Sequence, residues 1–167
     1  MSDNFDLTRT DSESAGTKGA SQQYLTFTVG QEEYGVDIMT VREIKGWTET
    51  TRLPNSPEFM RGVMNLRGLI IPIFDLRARF ALGLTDATAK HVIVILAVGA
   101  RNIGILVDTV SDILDVGTEQ IKPSPASENK LSIEEDFING LISLDNRMVV
   151  ILNVEHLFEE QHLAKTA

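Results

Sequence analysis

An internal repeat is the feature of this sequence that most constrains its fold. A shift of 69 residues places Val29-Gly30 on Val98-Gly99, and a shift of 78 residues places Gly62-Val63-Met64 on Gly140-Leu141-Ile142. Because glycines and cap residues coincide in the same order, chance similarity between short apolar strands is a poor explanation. The change of shift means that the second copy carries about nine extra residues, placed in the loop 123–136. Further aligned pairs are Gly35 with Gly104, Thr40-Val41 with Thr109-Val110, Ile44 with Ile113, Asp75 with Asn153, and Phe80 with Phe158.

The hydrophobic pattern within each copy predicts a mainly β fold of short strands. Leu25, Phe27 and Val29 alternate with threonines, which is the period of a half-buried strand. Short strands with many turns favour small barrels, because closure removes exposed sheet edges. We expect a first barrel repeat at about 24–82 and a second at about 91–158, packed on each other because each has only ~60 residues. The expected strands span 24–29, 34–38, 41–47, a hairpin within 61–75, then 91–98, 103–107, 112–116, 137–144 and 147–152.

Short helical turns are expected between these strands. Asp37 is a candidate cap for a turn that runs through Thr40. Ser56 followed by Pro57 suits the first residues of a short helix that ends at Gly62. Asp75 is a candidate cap for residues 76–81, and Asn153 for a C-terminal helix at about 154–164.

Composition places the chain among globular proteins without disulfides. Hydrophobic residues make up 43% and charged residues 23% of the 167 residues. No apolar run approaches the ~20 residues that a helix needs to span a bilayer, so no direct membrane insertion is expected. The absence of cysteine excludes thiol catalysis and suits a reducing cytoplasm. Residues 1–21 are polar and aperiodic, without the apolar segment of a secretory signal, and predict a disordered tail.

The charge of the chain is unevenly placed. The net charge is −9, which argues against non-specific binding to nucleic acid. Residues 42–79 nevertheless hold seven Lys/Arg and four Asp/Glu, a balance of +3, which leaves −12 for the rest of the chain. A basic island in an acidic protein favours an acidic protein partner over DNA.

A tight turn at Arg67-Gly68 lies at the tip of the hairpin in 61–75. Glycine permits the positive φ that such a turn requires. The second copy has Asp145-Asn146 at the equivalent place, so the fold does not require arginine there. This favours a role for Arg67 in contacting a partner, although an ordinary polar hairpin tip stays an alternative.

No constellation of residues indicates catalysis. The three histidines His91, His156 and His162 lack metal-ligand spacing, and no serine lies in a nucleophile elbow. Asp108, Asp112 and neighbouring Asp115 resemble a metal comb but lack the glycine and closing glutamate of a calcium loop. No catalytic residue, cofactor or metal site is therefore expected. A small ligand- or metal-binding β-barrel enzyme stays as the alternative.

Apolar side chains alternate with charged ones from Val41 to Trp47. For Ile44, packing in the core is favoured over a binding role. Trp47 is the only tryptophan and adjoins a loop, so core burial and an interface anchor weigh equally.

Four motifs resemble the family of bacterial chemotaxis coupling proteins called CheW. They are Val41-Arg42-Glu43-Ile44, Leu53-Pro54-Asn55-Ser56-Pro57, Gly62-Val63-Met64-Asn65-Leu66-Arg67-Gly68 and Ile71-Pro72-Ile73-Phe74-Asp75-Leu76-Arg77. The similarity extends over about residues 22–157, and a family-like domain is expected at 22–162. Met64 is a mild departure, because the family often has isoleucine or threonine there.

The resemblance implies a fold and a function. The fold is two SH3-like β-barrels, in agreement with the repeat. The function is that of a cytoplasmic, non-catalytic adaptor that couples the cytoplasmic tips of methyl-accepting chemoreceptors to the regulatory domain of the histidine kinase CheA in membrane-associated arrays. Matching motif positions that would mediate coupling are Val41, Glu43, Ile44, Gly62, Asn65, Leu66, Arg67 and Gly68. The absence of an ATP-binding region and of a receiver domain favours a stand-alone adaptor.

Overall fold

The computed structural model describes residues 21–123 and 137–158, and this part of the chain is mainly β. The strands run in chain order as β1 Ser21–Val29, β2 Glu32–Asp37, β3 Val41–Gly46, β4 Met60–Leu66, β5 Leu69–Asp75, β6 Val92–Val98, β7 Arg101–Val107, β8 Thr109–Gly117, β9 Ile121–Lys122, β10 Ile138–Leu144 and β11 Arg147–Leu152. The helical elements are a 3₁₀ turn at Ile38–Thr40, helix α1 at Leu76–Arg79, a 3₁₀ turn at Thr118–Gln120 and helix α2 at Val154–Leu157.

The three predicted caps are confirmed. The side chain of Asp37 accepts from the Met39 N–H at 2.9 Å. The side chain of Asp75 accepts from the Ala78 N–H at 3.3 Å, and Asn153 does the same for His156 at 3.2 Å. Helix α1 ends two residues before the predicted limit. The predicted continuation of the C-terminal helix to residue 164 lies beyond the described residues.

The predicted helix after Ser56 is wrong. Residues 58 and 59 form a turn, and the Ser56 hydroxyl donates to the Leu53 carbonyl instead of capping a helix. Strand β4 already begins at Met60, because Met60 pairs with Phe74 and Val63 exchanges two backbone hydrogen bonds with Thr51. Gly62 does not end a helix. It lies at a register shift inside β4 with a φ of +142°.

Strand β1 also begins earlier than predicted. Ser21 pairs with Gly117 and is therefore part of the sheet, whereas it was assigned to the disordered tail. The remainder of that predicted tail, residues 1–20, lies outside the described residues.

The strands form two sheets that exchange hairpins. One sheet has six strands in the order β8-β1-β2-β11-β10-β9, and the other has five in the order β3-β6-β7-β5-β4. The hairpin β1–β2 thus joins strands of the second repeat, and the hairpin β6–β7 joins strands of the first. The prediction that residues 24–82 and 91–158 each form one barrel is wrong in this respect. Each small barrel takes its first hairpin from the other repeat.

The exchange is reciprocal at the level of single residues. The pairing of Leu25 with Ile113 in one sheet corresponds to that of Val94 with Ile44 in the other. The parallel pairing of Gly35 with Ile151 likewise corresponds to that of Gly104 with Ile73. The members of each correspondence are related by the shifts of 69 and 78 residues, so the repeat is structural as well as sequential.

Three apolar clusters hold this arrangement together. The largest is shared by both sheets and contains aromatic residues such as Phe27, Phe74 and Phe158. A second fills the six-stranded barrel around Ile142. A third fills the five-stranded barrel around Ile73. Strand β6 contributes alternate residues to two clusters, which confirms the prediction that both of its faces are covered. The barrels share their main core, as expected for units of this size.

Candidate functional site

The turn between β4 and β5 has the backbone geometry that the sequence predicts. Leu66 pairs with Leu69, and both turn residues have positive φ, 52° for Arg67 and 90° for Gly68. Positive φ at both positions is the geometry that matches the twist of a two-residue hairpin. The side chain of Asn65 accepts from the Gly68 N–H at 2.9 Å and so fixes the turn. Asn65 and Gly68 therefore shape the surface that carries Arg67.

The guanidinium of Arg67 pairs with the carboxylate of Glu43 on β3. Strands β3 and β4 are the two edges of the five-stranded sheet, so this ion pair spans the gap where the sheet curls into a barrel. We call this gap between β3 and β4 the seam. The Arg67 side chain is still 71% exposed, compared with 28% for Glu43. Arg67 thus contacts Glu43 while most of its side chain stays open to solvent.

The ion pair shifts the titration of both partners. The hydrogen bond from Arg67 lowers the pKa of Glu43, and the adjacent charge of Arg67 adds to this effect. The same hydrogen bond raises the pKa of Arg67. Both groups are therefore charged at neutral pH, and the contact favours their charged forms.

One predicted binding residue on β3 is exposed, and another packs against the core. Ile44 is 46% exposed, which contradicts the expectation that it lies in the core. Val41 is half-buried and packs against the shared core. Trp47, for which core burial and an interface anchor weighed equally, follows β3, is half-buried and packs against the interior cluster of the five-stranded barrel.

Two of the predicted binding residues are structural in this fold. A Cβ atom on Gly62 would lie 2.4 Å from the Thr51 carbonyl oxygen, so only glycine fits where the chain before β4 approaches it. Leu66 packs against the interior cluster of the five-stranded barrel.

Sequence reasoning missed two exposed apolar residues beside the turn. The side chain of Leu69 is 56% exposed and that of Ile70 is 63% exposed. Ile70, Met64 and Asn65 are among the residues that line a groove of about 420 Å³. The sequence carries a signal for Ile70, because neighbouring residues in a strand point to opposite faces and Ile71 points inward.

The second barrel repeats part of this surface. Ile113 and Met148 are 54% and 51% exposed. They stand at the positions equivalent to Ile44 and Ile70 under the shifts of 69 and 78 residues. Both barrels therefore expose an apolar pair at equivalent places.

Asp108 and Asp112, two of the three aspartates that resembled a metal comb, have protein partners. Asp108 accepts from the Gly30 N–H at 2.8 Å and from Arg77 at 2.9 Å, with the His91 ring at 3.4 Å. Asp112 accepts from Thr26 at 2.9 Å and lies 3.3 Å from Arg147. Across residues 21–123 and 137–158, no three His, Asp or Glu side chains form a group that could hold a metal ion. Among the same residues, no helix is long and apolar enough to cross a bilayer.

The fold and the surface together define a class of protein, a pair of fused small β-barrels with an exposed surface suited to contacting other proteins. Residues 23–162 match the family model of the CheW-like domain. The chain is 45% identical over 139 residues to a probable chemotaxis protein CheW of Rhizobium etli, which covers 83% of this chain and 88% of that relative. It is 42% identical over 143 residues to the chemotaxis protein CheW of Klebsiella aerogenes, with 86% and 85% covered.

A solved structure agrees with these relatives. The scaffolding protein TtCheW from Thermoanaerobacter tengcongensis superposes with a TM-score of 0.76 at 31% identity, covering 84% of this chain and 90% of that one. The chain therefore belongs to the CheW-like family. The prediction of a chemotaxis adaptor or scaffold is confirmed, and the enzyme alternative finds no support in these relatives.

Proposed function

We propose that this chain joins the cytoplasmic tips of chemoreceptors to the regulatory domain of the histidine kinase CheA, without catalysis of its own. It acts in the cytoplasm and is recruited to membrane-associated receptor arrays. The observation that carries the proposal is the ion pair across the seam between Glu43 on β3 and the largely exposed Arg67 in the β4–β5 turn, with the exposed Ile44 next to Glu43 in the strand. Membership of a family of chemotaxis scaffolds supports the same conclusion.

The surface has the composition expected of a protein-binding site. It places exposed apolar side chains, Ile44, Leu69 and Ile70, on the same barrel as an arginine that is largely open to solvent. Arginine and large apolar residues are enriched where interfaces derive most of their binding energy. We assign partner contact to Glu43, Ile44 and Arg67.

The remaining predicted residues support that contact from within the barrel. Asn65 and Gly68 form the turn, whereas Gly62, Leu66 and Val41 hold the strands in place. A substitution at these positions would weaken coupling by deforming the surface.

The second barrel offers a separate contact. Ile113 and Met148 repeat the apolar pair of the first barrel at equivalent positions. An adaptor must hold two partners at once, and two similar surfaces on one rigid body suit that requirement. Ile113 and Met148 are therefore part of the proposal.

A binding experiment with matched variants tests the proposal. The purified chain, a receptor cytoplasmic fragment and CheA are mixed, and co-sedimentation measures ternary assembly. Ile44→Asp should reduce assembly, because it places a charge in the centre of the proposed contact. Leu84→Asp is the control, since Leu84 is 50% exposed, close to the 46% of Ile44, but lies outside the surface. Absence of assembly with the wild-type chain, or equal losses in both variants, would contradict the proposal.

A further inference from the structure

A buried carboxylate lies beneath the first barrel's surface, and its charge is not needed for the cap that it forms. Asp75 is fully buried and accepts from the Thr85 N–H at 2.8 Å, the Thr85 hydroxyl at 2.7 Å and the Ala78 N–H at 3.3 Å. Its counterpart in the second repeat is Asn153, which forms the same cap without a charge. The negative charge of Asp75 therefore has a further use.

That use is to hold Arg61. One terminal nitrogen of the Arg61 guanidinium lies 3.2 Å from the Asp75 carboxylate and donates to the Thr85 carbonyl at 2.7 Å. The guanidinium carbon lies 5.1 Å from the centre of the Trp47 ring, within the range of a cation–π contact. Only 20% of the Arg61 side chain is exposed. Arg61 thus links the end of β5, the connector after α1 and the residue that follows β3.

Within the described residues, the second repeat has no equivalent of this link. Under the two shifts, Asn139 stands at the position of Arg61, and a buried Val116 stands at that of Trp47. The second barrel reaches the same strand pairing without an arginine or an indole there. The link is therefore an addition to the common fold and is confined to the barrel that carries the predicted coupling residues.

Arg61, on β4, contacts a residue on the opposite side of the seam. Strands β3 and β4 are not hydrogen-bonded to each other, because they form opposite edges of their sheet. Arginines of the β4–β5 hairpin reach across at two places, Arg67 to Glu43 and Arg61 to Trp47. Because Glu43 and Ile44 lie on β3 and Arg67 follows β4, the spacing across the seam sets their relative positions.

We propose that Arg61 is a positioning residue, which acts through Trp47 to fix the spacing of β3 and β4 and thereby the partner-binding surface. This inference rests on the proposed function. It assigns to Arg61 no direct contact with the partner. Its side chain works from beneath the surface, through the Asp75 carboxylate on one side and the Trp47 ring on the other.

The first test combines binding with a spectroscopic signal. Arg61→Gln removes the cation, while Asp75 keeps its three other donors. Because Trp47 is the only tryptophan, its emission and its quenching by acrylamide report on this site alone. We expect altered Trp47 emission, stronger quenching, and binding to the regulatory domain of CheA weakened by about tenfold, within the range for residues that act without touching the ligand.

A double-mutant cycle separates positioning from general stability. If Arg61 acts through Trp47, Arg61→Gln should have little further effect on binding in a Trp47→Leu background. Arg101→Gln is the control for loss of a structural arginine, because Arg101 donates to the Phe158 carbonyl away from the seam. It should lower the melting temperature without changing affinity below the melt.

Arg61→Lys keeps the test decisive if Arg61→Gln fails to fold. Lysine retains the charge opposite Asp75 but lacks the planar group that also faces the ring. It should restore the melting temperature while leaving binding weakened and Trp47 quenching raised. Full recovery of binding together with the melting temperature would overturn the proposal. So would unchanged affinity in Arg61→Gln, or an undiminished effect of that change in the Trp47→Leu background. Failure of the wild-type chain to bind would instead contradict the proposed function itself.

Discussion

At the scale of single residues, we expect the contact between Arg67 and Glu43 to matter more for recognition than for stability. An exposed ion pair of this kind contributes little to folding, because water screens the charges and two long side chains must be ordered. The turn itself is held by backbone geometry and by Asn65 rather than by the arginine side chain. Arg67 can therefore be changed without dismantling the hairpin.

Arg67→Ala should leave the fold nearly intact and weaken coupling. We expect little change in the free energy of unfolding, since only a solvent-exposed pair is lost. Binding to the partner should fall because an exposed guanidinium at the centre of the surface is removed. Asp145→Ala, at the equivalent turn of the second barrel, is the control. Denaturant melts and titration calorimetry provide the two measurements, and a large loss of stability would show that Arg67 is structural.

The stabilising contribution of the contact between Arg67 and Glu43 should be lost at low pH. The pKa of Glu43 is lowered from its ordinary value of 4.5, mainly by the hydrogen bond from Arg67. A lowered pKa in the folded state means that the stabilising contribution is fully present above 4.5 and is lost as the pH falls through the folded-state value. An NMR titration of the Glu43 carboxyl carbon should show this lowered midpoint in the wild type. In Arg67→Ala the midpoint should move upward, and an unchanged midpoint would refute the assigned cause.

At the scale of elements, the sequence predicts the structure correctly where interactions within a few residues determine it. The caps at Asp37, Asp75 and Asn153 and the turn at Arg67-Gly68 depend only on neighbouring backbone groups. The prediction of a helix after Ser56 failed because strand pairing with Thr51 and with Phe74, outside the window of the helix, decided that stretch. Ile44 was misplaced for a similar reason, since the alternation of β3 identifies two faces but not which face another layer covers.

Gly62 offers the sharpest test of the β4 edge. Its φ of +142° and the 2.4 Å approach of a Cβ to the Thr51 carbonyl oxygen leave no room for alanine. Gly62→Ala should therefore destabilise the protein by about 3 kcal/mol, from backbone strain and steric overlap.

The control for this change is Gly46→Ala. No heavy atom lies within 4 Å of the added carbon at Gly46. Its effect should stay within about 0.5 kcal/mol, as for ordinary surface substitutions. Urea denaturation of both variants measures the difference, and equal stabilities would show that the approach at Thr51 is not a constraint.

At the scale of the whole molecule, the exchange of hairpins predicts that the two barrels unfold as one cooperative unit. The sequence revealed the repeat, and the structure preserves both shifts in its strand pairing. The exchange was not predictable from the repeat. Because the two copies have the same hydrophobic pattern, that pattern does not show whether strands pair within a copy or between copies. Short connections carry the chain from one sheet to the other, such as the three residues Ile38–Thr40 between β2 and β3.

Division of the chain in the connector tests this cooperativity. Fragments 1–86 and 87–167 should each lack a cooperative thermal melt as monomers, because β1–β2 and β6–β7 are separated from the strands with which they pair. Mixed in equal amounts, they should form a one-to-one complex with a cooperative melt. Circular dichroism and analytical ultracentrifugation measure both properties. A monomeric fragment that melts cooperatively would mean that each repeat folds on its own.

The measurement that tests the central claim most directly is the rate of CheA autophosphorylation in the presence of receptor. Increasing amounts of this chain are added to fixed amounts of kinase and receptor fragment. The adaptor account predicts that the rate comes under receptor control as the chain is added, and that the effect saturates once the kinase is fully occupied. A rate that stays constant at every concentration of the chain, with the same kinase and receptor responding to another coupling protein, would contradict the account.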